Sequence, residues 1–212
     1  MTSNTRSLIE GFQRFRKKHF ESNDTVFQQL VKAGQTPKTL IVACCDSRVD
    51  PALVLDCEPG DLFVIRNVAN LVPPVEGRAG HHGTTAAIEY GVRILGVEHI
   101  IVLGHAHCGG ITTLVKAGGT NVPGSFIDDW MCLVESVRAS VIKELPDATT
   151  EVQIQECEKR AILVSLDNLM TFSWVKEKVD SGLLTLHGWY FDIAQGQLLR
   201  FNTESKIFED LQ

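Results

Sequence analysis

The chain has 212 residues, 44% of them hydrophobic, enough for one α/β domain with a full core. Its formal charge of −6 argues against nucleic acid as a partner, since phosphate binding needs a basic face. It carries no apolar run near the ~18 residues of a membrane span and no hydrophobic leader, so a cytoplasmic location is expected.

Residues 5–20, TRSLIEGFQRFRKKHF, space Leu8, Phe12 and Phe15 at helical intervals, with Arg14, Arg16, Lys17 and Lys18 between them. A basic amphipathic helix suits a membrane surface or a transit peptide, but Glu10 counts against the transit peptide. The reading adopted is an N-terminal arm (1–22) whose apolar stripe packs on the body or on a second subunit. A helix follows near 24–33, capped by Asn23 or Asp24. TLIVACC (39–45), DLFVIRN (61–67) and EHIIVLGH (98–105) are short, nearly continuous apolar runs, as strands buried on both faces should be. Between the last two, GHHGTTAAIEYGVRILG predicts a helix with glycines at its ends.

Residues 125–145 and 151–181 predict long helices, with Gly182 stopping the second. Ala161, Ile162, Leu163, Val164, Leu166, Leu169 and Met170 cover more than one face of that second helix, so it should be buried on several sides. Residues 183–201 alternate around AQGQ, a hairpin placing two strands at the sheet edge. The expected fold is α/β: a mainly parallel central sheet flanked by helices, with an antiparallel C-terminal edge hairpin and the N-terminal helical arm. No linker or repeat divides the chain, so 1–212 reads as a single domain, with its core over 23–201 and a tail over 202–212.

The six cysteines read as ligands plus buried thiols in a reducing compartment, and Cys57, Cys132 and Cys157 are expected to be buried. In open parallel sheets ligands bind beyond the carboxyl ends of the strands. The first strand runs into Cys44 and Asp46, and the third into GHAHCGG with His105, His107 and Cys108. Side chains alternate along a strand, so Cys44, Asp46 and Arg48 share a face while Cys45 turns into the core. Cys44, His105 and Cys108 form a Cys₂His set suited to zinc, with a fourth position free as in catalytic sites. His107 competes, but its i, i+1 spacing to Cys108 converges on one ion less readily, so it reads as a flanking residue. Asp46 and Arg48 are either a surface ion pair of little consequence or, beside zinc, a pair in which Arg48 keeps the carboxylate ionised and off the metal. The free position would then take a water whose pKa zinc lowers.

CCDSR (44–48) resembles the CxDxR signature, and HAHC (105–108) the HxxC signature, of the β-class carbonic anhydrases. The likeness continues through EPGDLFVIRNVANLVPP, AAIEYGV and GHAHCGGI, over about residues 25–200. It implies reversible hydration of CO2 to bicarbonate and a proton through zinc-bound hydroxide, with one Zn2+ per subunit on Cys44, His105 and Cys108, and Asp46–Arg48 as a dyad. It implies also that Gln35 reaches the site from a neighbouring subunit to donate to a substrate oxygen, making a homodimer or higher even oligomer the working unit. Phe63, Val68 and Tyr90 match the apolar CO2 pocket, and Gly109 a backbone N–H that holds substrate.

In a subset of that family a tryptophan three residues before the first zinc cysteine helps form a second bicarbonate site. Ile41 stands there, so the sequence resembles the plant-type branch with an open zinc. Candidates for proton export are His81, His82, His107 and Tyr90. The rival readings are a hydrolase of carbonyl sulfide or carbon disulfide on the same zinc, a non-catalytic zinc or redox protein, and a bicarbonate sensor.

Overall fold

The computed structural model describes residues 3–21, 25–76, 81–120 and 122–211. Its sheet has six strands in the order β2-β1-β3-β4-β5-β6: β1 (Thr39–Cys44), β2 (Leu62–Asn67), β3 (His99–His105), β4 (Thr185–Asp192), β5 (Gln197–Phe201) and β6 (Phe208–Asp210). β2, β1, β3 and β4 run parallel, and β5 and β6 antiparallel. β1 and β3 are central because both faces of their apolar runs are covered; Leu40, Ile41, Val42 and Ala43 are all fully buried. The hairpin lies as expected around residues 194–197, but β4 pairs with β3 and is interior. Residues 208–210, expected within a tail, supply the edge strand instead.

Helices α1 (Ser3–Phe20) and α2 (Val26–Ala33) precede the sheet. α1 packs on α2 through Phe15 and Phe20 against Phe27, and leaves Leu8 and Phe12 exposed. Thr25 caps α2 in a reciprocal capping box with Gln28; Asn23 and Asp24 lie outside the described residues. α3 (Pro51–Val54) follows β1, and α4 (Gly83–Glu89) runs into wider π-helical turns over Tyr90–Leu95 before Gly96 ends it.

The helix predicted over 125–145 is interrupted. α5 (Gly109–Ala117) leads to α6 (Phe126–Met131), a 3-10 turn over Cys132–Val134, then α7 (Glu135–Glu144). The break aims α6 at α5, where Trp130 Nε1 donates to the Val68 carbonyl, while α7 packs on α8 (Thr150–Leu169). The helix predicted over 151–181 also divides, into α8 and α9 (Ser173–Asp180). Thr171 Oγ1 donates to the Asn168 carbonyl and accepts from Val75 N–H, so the chain gives up a helical turn to hold the segment before α4. Gly182, at φ 73°, ends α9 as expected.

α8 lies along β3 and β4 because Gly104 and Gly188 leave room for it. A Cβ at Gly104 would sit 2.7 Å from Ile162 Cδ1, and one at Gly188 would sit 3.0 Å from Ile162 Cγ2. α5 and α7 cover other sides of α8, so its multi-sided burial is met within the chain. Among the described residues no helix is long and apolar enough to cross a membrane.

Candidate metal centre

Adjacent parallel strands bring the two sequence motifs to one end of the sheet. Cys44 is the last residue of β1 and His105 the last of β3, and the chain turns through Ala106 and His107 to Cys108, the N-cap of α5. His107 takes a left-handed φ of 58°, which lets so short a turn return Cys108 to His105. Cys44, His105 and Cys108 are buried, their ligating atoms lie within 4.8 Å of one another, and the two sulfurs are 4.0 Å apart. A tetrahedral zinc with ordinary Zn–S and Zn–N bonds separates its ligand atoms by roughly 3.5–3.8 Å, so the two sulfurs need to close by a few tenths of an ångström and no pair by more than about 1.3 Å.

His105 is prepared for a cation. Its Nδ1 lies 2.8 Å from the Ala106 carbonyl, which can only accept, so the ring proton sits on Nδ1 and the Nε2 lone pair is free. Among the described residues Nε2 is nevertheless buried without a hydrogen-bond partner. An orphaned acceptor between two sulfurs is costly unless a cation takes it. The donor set therefore fits zinc.

The sulfurs are biased likewise. The Cys108 thiol, aided by His105 and by the N–H groups of Asp46 and Ala69, draws the Cys44 pKa down against burial. The same pairing, with burial, pushes the Cys108 thiol up. For His105, burial opposes the charged ring, but Cys44 outweighs it and the net shift is upward. The site is thus biased towards holding thiolate sulfur, and binding a cation there releases thiol protons.

Backbone strain supplies the N–H from Ala69. Ala69 and Asn70 both sit at left-handed φ, 61° and 49°, at a cost of about 1–2 kcal/mol each. Asn67 holds the segment there, donating to the Leu71 carbonyl and accepting from Leu71 N–H at 2.8 and 3.0 Å.

Asp46 is clasped through both oxygens. Oδ1 accepts from Arg48 N–H at 3.0 Å and Nε at 2.9 Å, and Oδ2 accepts from Nη2 at 2.7 Å. The Arg48 guanidinium therefore holds the carboxyl far below the usual carboxylate range. Arg48 Nη2 also donates to the His107 carbonyl at 3.1 Å, tying the dyad to the second motif.

Of the expected substrate residues, Val68 and Gly109 lie beside the centre and share an apolar cavity of about 210 Å³ with Leu114 and Met131. Phe63 and Tyr90 do not join them. They stack on each other at 5.9 Å, and Phe63 pairs with Leu40, four residues below the Cys44–Asn67 pair and so about 13 Å down the strand. Gln35 is exposed in the loop between α2 and β1. His107 is exposed at the centre, whereas His81 and His82 line a separate cavity of about 330 Å³ with Glu76, Phe126 and Trp130.

The doublet of cysteines needs correction. Cys45 is exposed, not core. β1 ends at Cys44, and after Cys45 N–H pairs with the Asn67 carbonyl the chain leaves the sheet, so strand alternation no longer applies. Cys132 is likewise exposed and Cys57 only half-buried, because each sits where a short helix ends; Cys157 is buried as expected. Cys45→Ala is expected to keep zinc content and turnover within about twofold of wild type, as surface changes do. Atomic absorption and stopped-flow assay check this, and a zinc-free Cys45→Ala protein would contradict it.

Two residues at the centre were not among the expected site residues. Arg66 donates to the carbonyls of Cys44 and Asp46 at 2.9 and 2.7 Å and to Asp50 at 2.8 Å, bracing the loop that bears the dyad. Glu158, on α8, accepts from Cys108 N–H. Burial raises its pKa, while Cys108 N–H and the Tyr190 hydroxyl lower it. A charged residue inside an apolar strand and an acid on the buried face of a helix were the available signals.

A family model described as carbonic anhydrase matches residues 39–198. Beta carbonic anhydrase 3 of Arabidopsis thaliana is 37% identical over 191 residues, covering 89% of this chain and 73% of that protein. A carbonic anhydrase of Synechocystis sp. is 38% identical, covering 92% and 70%. Among solved structures, the β-carbonic anhydrase CcaA superposes with a TM-score of 0.92 at 37% identity, covering 100% of this chain and 93% of that one. A tetrameric β-carbonic anhydrase of Sordaria macrospora gives 0.76 at 30% identity over 94% of each chain.

Proposed function

The chain belongs to the β-carbonic anhydrase family, and on that premise we propose how its residues carry out the reversible hydration of CO2 to bicarbonate and a proton. The observation that carries the reading is the buried Cys44–His105–Cys108 group beside a carboxylate locked by Arg48. Cys44, His105 and Cys108 would hold one Zn2+ per chain. When bound, zinc supplies a Lewis acid that lets water ionise near neutral pH.

Asp46, kept ionised by Arg48, accepts a hydrogen bond from the attacking water's O–H and so orients its lone pair towards carbon. With both carboxylate oxygens held by Arg48, Asp46 would stay off a bound metal, in keeping with Ile41 in place of the tryptophan. Val68 offers CO2 an apolar wall, and Gly109 N–H donates to the oxygen that gains charge. His107, exposed beside the centre, is the best-placed group to pass the proton outward.

Gln35, Phe63 and Tyr90 would act in the site of a second copy. They lie away from their own chain's centre, and the exposed Leu8 and Phe12 of α1 offer that copy an apolar face. Oligomers of this kind have precedent in the tetrameric Sordaria relative. Six free cysteines fit a reducing compartment such as the cytoplasm.

Mixing two inactive variants tests the shared site. Cys44→Ala and Gln35→Ala chains, unfolded and refolded together, should recover about a quarter of wild-type turnover, since the mixed dimer keeps one intact site. No recovery would place Gln35 in its own chain's site. Parallel stopped-flow assays of CO2 hydration and carbonyl sulfide hydrolysis on zinc-quantified protein test the reaction, and faster carbonyl sulfide turnover would shift the substrate.

A further inference from the structure

The peptide unit joining His107 to Cys108 is gripped at both of its polar atoms. Its carbonyl accepts from Arg48 Nη2 at 3.1 Å, and its N–H donates to Glu158 Oε1 at 2.8 Å. The other Glu158 oxygen accepts from the Tyr190 hydroxyl, also at 2.8 Å. Glu158 is 3% exposed and Tyr190 fully buried. We infer that Glu158 is a positioning residue for the Arg48–Asp46 dyad, acting on it through this single peptide unit.

Three features support the assignment. The first is that a polar side chain is buried on a helix face and spends its two oxygens on Cys108 N–H and the Tyr190 hydroxyl. An acceptor on the N–H of a peptide also strengthens its carbonyl as an acceptor, here towards Arg48. Secondly, His107 holds a left-handed φ of 58°, which a residue with a Cβ keeps only when its surroundings fix it. That conformation aims the carbonyl at Arg48, and the bonds from Arg48 and Glu158 fix the peptide plane from opposite sides. Thirdly, the Arg48 side chain is 50% exposed, so solvent would compete for it. Among the described residues, the His107 carbonyl is its one anchor outside residue 46. Without Glu158 the peptide is free to turn, Arg48 loses that anchor, and the carboxylate it carries loses its aim.

The inference rests on the dyad role proposed above, and its test separates the two. Glu158→Met keeps the side-chain length and removes the acceptor. Per bound zinc, its kcat should fall about tenfold, as loss of an outer-sphere partner does, with KM unchanged. Glu158→Gln, which can still accept from Cys108 N–H, should restore turnover to within about threefold of wild type. In an Arg48→Ala background Glu158→Met should cost nothing further, because the anchor it serves is gone. Additive losses, or an unaltered kcat in Glu158→Met, would overturn the inference.

A second readout does not depend on Glu158→Met folding. In zinc-loaded protein the Cys108 amide proton resonance should move upfield in Arg48→Ala, whose loss weakens the shared peptide from its carbonyl side. An unmoved resonance would overturn the coupling. If Arg48→Ala instead keeps wild-type turnover, the dyad reading fails, while the amide shift still reports whether Arg48 and Glu158 communicate.

Discussion

Cys44→Ala should leave less than about a tenth of a zinc per chain and lower CO2 hydration at least about 10³-fold, because two remaining ligands cannot close a tetrahedral site. The loss goes beyond one bond. Cys44 lies 4.0 Å from the Cys108 sulfur, and the N–H groups of Asp46 and Ala69 help draw its pKa down. Its removal strips those donors of their acceptor and leaves the strained turn at Ala69 and Asn70 with nothing to serve. The His105 pKa, held up chiefly by Cys44 against burial, should then fall. Zinc content by atomic absorption, read beside the circular dichroism of the folded protein, separates loss of metal from loss of fold. Wild-type zinc content in this variant would remove Cys44 from the ligand set.

Arg48→Ala is expected to bind zinc yet lose about 10²-fold in kcat, the effect of a misplaced catalytic group. Asp46 loses its two side-chain donors and keeps only the N–H of residue 48. Its pKa, held low mainly by Arg48, rises towards the ordinary carboxylate range, so at neutral pH it remains ionised. Protonation therefore does not explain the loss; a carboxylate freed from Arg48 does, because it no longer orients the attacking water. Arg48→Lys should recover little, since an ammonium cannot hold both carboxylate oxygens as the guanidinium fork does. The same shift fixes a pH dependence of stability. The folded pKa of Asp46 lies below its unfolded value, so the pair's contribution is present above about pH 4 and is lost as pH falls towards the folded value. With Arg48 half exposed that contribution is small.

The central strands and the grouping of the candidate ligands were legible because they rest on local signals. TLIVAC and HIIVLGH are apolar without alternation, as doubly covered parallel strands are, and each ends in a candidate ligand. What failed was every inference that carried a periodic pattern past the end of an element. Cys45 obeys strand alternation only if β1 continues, and it does not. The stretches from 125 and 151 read as long helices, yet the helices break where Trp130, Asn168 and Thr171 spend their polar groups on distant segments near Val68, Val72 and Val75. Glu158 and Arg66 were invisible for a related reason. The partners of Glu158 lie 50 and 32 residues away and those of Arg66 16 to 22, and no short motif records a contact made by the fold. The pocket residues Phe63 and Tyr90 follow neither rule, since a single chain does not bring them to the centre.

Zinc titration into metal-stripped protein, followed by stopped-flow CO2 hydration between about pH 7 and 9, tests the central claim most directly. Turnover should rise in proportion to bound metal and level off at one zinc per chain. Zinc-replete protein that hydrates CO2 no faster than buffer, or stripped protein that retains full turnover, would contradict it.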